Sequence, residues 1–154
     1  INTVAFMDNS RKNIIKEIAE NLDCGNDCYY NFKTNEIVSI PNFKNSSDEQ
    51  ELKEFFRDDL NKISEQKVDF IKFEVLESFE SFKIMERFSE QITDQNFKSK
   101  LNNILEKKKP FQNFKNSIDN SDFRQAWFDF KEKELEKIVE IQLNRGKARA
   151  QQNP

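Results

Sequence analysis

Two glycines, Gly25 and Gly146, and three prolines, Pro41, Pro110 and Pro154, are all that punctuate a chain of 154 residues. Glycine takes positive φ without strain and proline breaks helices, so a chain poor in both has few places to turn abruptly. Long helices with short connections follow.

The core must then come from aromatic rings. Charged residues make up 34% of the chain and its mean hydropathy is -0.89, a balance that on its own suggests disorder. Sixteen phenylalanines, one tryptophan and two tyrosines supply the bulky apolar area that disordered chains lack. A chain of this length buries roughly 68–70% of its unfolded surface, enough for one domain with one core. We read residues 1–145 as that domain and 146–154, "GKARAQQNP", as a flexible polar tail. The net charge of -3 is mild and spread along the chain, so no global field for nucleic acid or an anionic membrane follows. No apolar run approaches the length of a membrane span, and the expected location is cytoplasmic.

Along the chain, Ser10 reads as an N-cap before Ile14, Ile15, Ile18 and Leu22 at helical spacing, with Gly25 placed to end the helix. "CYYNFKTNEIVSIP" reads as a hairpin turning at Thr34, Asn35 and Glu36, with Cys28, Tyr30 and Phe32 on one face. In "NSSDEQELKEFF", Ser47 with Gln50 or Ser46 with Glu49 predicts a capping box opening a helix through Leu60 and Ile63. "VDFIKFEVL" reads as a third strand. From Ser78 the pattern is helical: Phe82, Met85 and Phe88, then Phe97, Leu101, Ile104 and Leu105 behind a Thr93 or Asp94 cap. Pro110 suits a first helical turn, and Asn120 or Ser121 caps a last helix that ends near Gly146. The fold class is therefore α+β: a small antiparallel sheet of the hairpin plus one strand, packed by helices, with a mainly helical C-terminal half.

The densest ring cluster lies in "PFQNFKNSIDNSDFRQAWFDFK", residues 110–131. Phe123, Trp127, Phe128, Phe130, Leu135, Ile138, Val139 and Ile141 fall in one helical arc, and Phe111, Phe114 and Ile118 form a stripe on the preceding helix. These phases describe two packed helices whose rings are core. Arg124 and Lys131 project inside the arc, and two readings stay open for them. Lys131 pairs with Glu134 and Arg124 stacks on Trp127, or both face an external anion. From Phe97 to Ser117, Lys98, Lys100, Lys107, Lys108, Lys109 and Lys115 oppose only Glu106. Basic residues interleaved with rings are what single-stranded nucleic-acid surfaces use, while a solvated helix face has the same composition.

Specific catalytic signatures are missing. There is no histidine, hence no Ser-His or Cys-His pair, and two glycines make no phosphate-cradling loop. Cys24 and Cys28 in "CGNDC" are four apart, and with Asp23 and Asp27 they form an incomplete metal-ligand set. We expect no enzyme activity, no cofactor and no metal.

Three stretches carry a resemblance to a known group. "YYNFKTNEIV", "SFKIMERFSEQI" and "PFQNFKNSIDNSDFRQAWFDFK" are similar to segments of the bacterial uncharacterised protein family 0158, over about Asn13 to Leu143. The chain departs from the family pattern at Asn35, where the hairpin turn usually has glycine, and at Lys107 to Lys109, where a Gly-Arg-Gly-like turn is usual. The resemblance implies a soluble bacterial protein and transfers no catalytic residue. The expected function is non-enzymatic: a module binding another protein through a helical groove or sheet edge. The alternative is RNA or single-stranded DNA binding through residues 98–131, with Lys107, Lys108, Lys109, Lys115, Arg124, Trp127 and Lys131 as the binding set.

Overall fold

The computed structural model describes residues 3–43 and 46–152, and for residues 3–9 the backbone alone. It is an α+β protein whose residues divide into two compact units, Ile1–Val75 with Leu135–Pro154, and Leu76–Glu134.

The first unit opens with α1 (Thr3–Asp23), followed by β1 (Asn26–Asn31) and β2 (Ile37–Pro41). Helices α2 (Glu49–Phe55) and α3 (Arg57–Glu65) lead through a 3-10 turn at Lys67–Asp69 into β3 (Phe70–Phe73). The sheet is antiparallel in the order β2-β1-β3, so the hairpin and the third strand assemble as the sequence predicts. Gly25 ends α1's approach to β1 at φ 87°, and Asn35 turns the hairpin at φ 64°, both in the left-handed region. On one face Cys28, Tyr30, Ile71 and Phe73 are buried, and α1 lays Ile15, Ile18, Ala19 and Leu22 into the same unit's core. Val38 and Ile40 lie opposite Tyr29 and Asp27, hence on the other face, and they are buried too.

Three local readings are corrected in this unit. Helix α1 begins at Thr3, so Ser10 sits inside it rather than at its cap. No glycine or proline lies between Thr3 and Asp23 to stop the helix earlier. The capping box at Ser46 and Ser47 does not form: α2 starts at Glu49, and the Ser46 hydroxyl oxygen accepts the Asp48 N–H within the preceding turn. The helix that follows breaks at Phe56 into α2 and α3.

The second unit holds α4 (Ser78–Gln91), α5 (Gln95–Glu106), α6 (Pro110–Asp119) and the start of α7 (Arg124–Gln152). Glu80, on the first turn of α4, accepts the Glu77 N–H at 3.3 Å, and Asp94 caps α5 by accepting the Phe97 N–H at 3.1 Å. Ser121 ties α6 to α7: its hydroxyl donates to the Ile118 carbonyl at 2.8 Å and accepts the Phe123 N–H at 3.1 Å. The core is Met85, Phe88, Ile92, Leu101, Phe114 and Ile118.

Helix α7 departs from its reading in two ways. Its buried stripe in the first unit is Leu135, Val139, Leu143 and Gly146, whereas Ile141 is 51% exposed. The helix also passes Gly146 and continues to Gln152. A Cβ at Gly146 would stand 2.7 Å from Ile71 Cγ2, so this glycine is a point of close approach to β3, not a stop. Among the described residues no helix is long and apolar enough to cross a membrane.

Candidate functional site

The rings of residues 110–131 pack on one another and on rings of α4 and α5. Trp127 meets Phe88 and Phe114 edge-on at 5.2 and 5.0 Å between centroids, and Phe97 stacks on Phe123 at 4.7 Å. The two Trp127 contacts place the electropositive edge of one ring on the face of another, while Phe97 and Phe123 lie nearly parallel. Phe114 is fully buried and so offers no face to a stacked base, and Trp127 is half-buried. Phe111 is the exception, 43% exposed and 6.3 Å from Phe82.

The two cations find partners within the unit. Arg124 reaches Asp119 Oδ1 at 3.4 Å and lies over the Phe128 ring at 4.7 Å, rather than on Trp127. Lys131 Nζ stands 5.7 Å from both the Trp127 and the Phe128 ring centroids, a long cation–π approach. Glu134, expected with Lys131, holds Arg87 at 3.4 Å. Arg124 thus has its anion in Asp119.

Lys107, Lys108 and Lys109 form the exposed turn between α5 and α6, and Lys115 is exposed on α6. Among the described residues none of the four forms an ion pair. Lys109 adopts φ 54°, a left-handed conformation that an L side chain enters at some cost.

Of the two free cysteines, Cys24 is exposed and Cys28 buried. Cys28 is fully buried, with its thiol 3.9 Å from the Ile18 carbonyl oxygen and 3.7 Å from Ser39 Oγ. Burial raises its pKa from 9.0 to about 11, which keeps it a neutral, unreactive thiol. Asp27 accepts the Val75 N–H at 2.8 Å and so fixes the chain leaving β3. Among the described residues no three Cys, Asp or Glu side chains gather as a metal set.

The first unit also holds a cavity that no sequence motif marks. It measures about 300 Å³ and is lined by Ser10, Arg11 and Ile14 of α1, Tyr30 and Asn35 of the hairpin, and Leu143 and Lys147 of α7. The Tyr30 hydroxyl donates to Asn35 Oδ1 at 2.6 Å, and Arg11 donates to Asn144 Oδ1. Burial lowers the Lys147 pKa, and the Arg11 charge lowers it further. Burial raises that of Tyr30, with Arg11 acting in the opposite direction. Tyr30 and Asn35 were visible as hairpin residues, but no spacing rule links Arg11 to Lys147 across the length of the chain.

No curated protein and no solved structure matches the chain at a significant level. A family model matches residues 7–148, nearly the whole sequence. The likeness of the hairpin, the α4 segment and the ring-rich segment therefore reflects membership: the chain belongs to the Uncharacterised protein family (UPF0158).

Proposed function

We infer that the protein is a non-enzymatic interaction module that takes an extended segment of another protein onto the outer edge of β2. The alternation of an antiparallel ladder carries this reading. The Asn31 N–H donates to the Glu36 carbonyl at 2.8 Å and the Asn42 N–H to the Gly25 carbonyl at 3.0 Å. With the register between them, Val38 and Ile40 turn their backbone groups toward β1, and Ile37 and Ser39 turn theirs outward. Among the described residues no further strand lies beyond β2, so those outward groups are a template for an added strand. Ser39→Pro removes an outward N–H without touching the β1 ladder. Partners retained by the native chain should be lost by this variant while it still unfolds cooperatively, with a melt lowered only as far as by Ser39→Ala, which removes the same hydroxyl beside Cys28 but keeps the N–H. Equal retention by both proteins would sink the reading.

A second reading is favoured by the lysine turn. Lys107, Lys108, Lys109 and Lys115 are exposed cations without ion-pair partners among the described residues, next to the exposed ring of Phe111. This reading predicts RNA or single-stranded DNA binding that weakens steeply with salt. A Lys107→Glu, Lys108→Glu double variant should abolish the shifted band at low ionic strength. No band with the native chain under those conditions ends this reading.

A further inference from the structure

We propose that the cavity of the first unit is a binding site for a small organic anion, a carboxylate or phosphate ester with a compact apolar body. The site is separate from the β2 edge and from the lysine turn. Its volume, about 300 Å³, lies at the lower limit of ligand pockets, which suits a ligand of one ring or a short chain.

The polar lining is rich in donors. Arg11 and Lys147 bring two positive charges to one cavity, and the Ser10 hydroxyl supplies another donor. The Tyr30 proton is committed to Asn35 Oδ1, a bond that also orients the Asn35 amide group, leaving its Nδ2 as the free donor end. Among the described residues lining the cavity, none is acidic. Burial lowers the proton affinity of the half-buried Lys147 ammonium first, and the Arg11 charge, with no carboxylate in the described lining to offset it, lowers it further. Two like charges held together in a partly desolvated place are unfavourable alone and become favourable when an anion sits between them.

Arg87, Arg124, Lys33, Lys53, Lys62 and Lys72 each have a carboxylate within 4.0 Å. Lys107, Lys108, Lys109 and Lys115, which have none among the described residues, are exposed to water and do not line this cavity. Arg11 instead bonds a neutral amide, Asn144, which fixes the guanidinium without neutralising it. Ile14 and Leu143 supply the apolar wall, so a bare ion would leave that surface in contact with water. An anion with an apolar body satisfies both parts of the lining.

The test is a titration of the full chain, followed by backbone amide resonances, with phenyl phosphate, benzoate, inorganic phosphate and benzyl alcohol as probes. Phenyl phosphate or benzoate should shift Arg11, Asn35 and Lys147, and whichever binds more tightly identifies the anion class. Benzyl alcohol and inorganic phosphate should each bind at least tenfold more weakly. Lys147→Met and Arg11→Gln, on two different helices, should each weaken the aromatic anion at least tenfold, whereas Lys147→Arg should retain it. Lys83→Met, in the second unit, should leave affinity unchanged. Equal binding of benzyl alcohol, or equal weakening by Lys83→Met, would overturn the proposal. So would native affinity in both Lys147→Met and Arg11→Gln.

Discussion

The two units solve the same problem with different side chains. The second unit fills its core with rings: Phe88 and Phe114 are fully buried, Trp127 bridges them, and nearby cations lie over ring faces or against carboxylates. The first unit packs aliphatic residues of α1 and α7 with a sheet whose largest fully buried side chains are Tyr30 and Phe73. Its cavity cations, Arg11 and Lys147, have no acidic neighbour in the described lining. Dense aromatics in a sequence mark where a chain holds itself together. The charges of the first unit's described cavity lining are the ones on which the anion-binding proposal rests.

The two regions carry separate chromophores, which makes the comparison breakable. The only tryptophan, Trp127, reports on the second unit, and both tyrosines, Tyr29 and Tyr30, lie in β1 of the first. The largest effect should come from Phe114→Ala, which deletes a fully buried ring touching Trp127 and should cost about 3–5 kcal/mol. Urea unfolding read by Trp127 emission measures it, and a loss below about 1 kcal/mol would mean that the rings are not the second unit's core.

Next comes Gly146→Ala, which drives a methyl group to 2.7 Å from Ile71 Cγ2 and should cost about 1–3 kcal/mol. The same change would gain about 1 kcal/mol in an unobstructed helix, so the sign is diagnostic. Tyrosine absorbance during unfolding reads it, and Ile71→Ala added to Gly146→Ala should recover part of the strain. A stabilised Gly146→Ala would show that α7 does not press on β3.

Lys109→Gly should stabilise the second unit by up to about 1 kcal/mol, because glycine occupies φ 54° without the Cβ penalty. A destabilised variant in a thermal melt would contradict that conformation. The smallest effect belongs to Arg124→Ala. Its side chain is 59% exposed and its Asp119 partner 39%, so water screens the pair and the loss should stay below about 1 kcal/mol. A larger loss would move Arg124 from surface ornament to core support and blur the contrast with Arg11.

Much of the architecture was legible because it rests on local rules. The hairpin was readable from Asn35, which tolerates the left-handed turn, and from the alternation of Cys28 and Tyr30. The second unit's stripe of Phe114, Ile118, Leu101 and Phe88 was readable from helical spacing. Caps were less legible, since Ser10, Ser46 and Ser47 all look like helix starts and none is one. A serine favours a cap by about 1 kcal/mol, which a helix already propagating through it outweighs. Gly146 misled for the opposite reason: a missing side chain signals either a stop or a close neighbour, and only Ile71 distinguishes them.

By itself the sequence determined the α+β class, the antiparallel hairpin and the use of phenylalanine as core, because periodicity and turn chemistry act over a few residues. The tertiary structure decided the partners of charge. It placed Asp119 against Arg124, and it brought Arg11 of α1 to Lys147 of α7 with no acidic residue among the described lining. Coulomb interactions depend on distance through space, and distance along the chain carries no record of it.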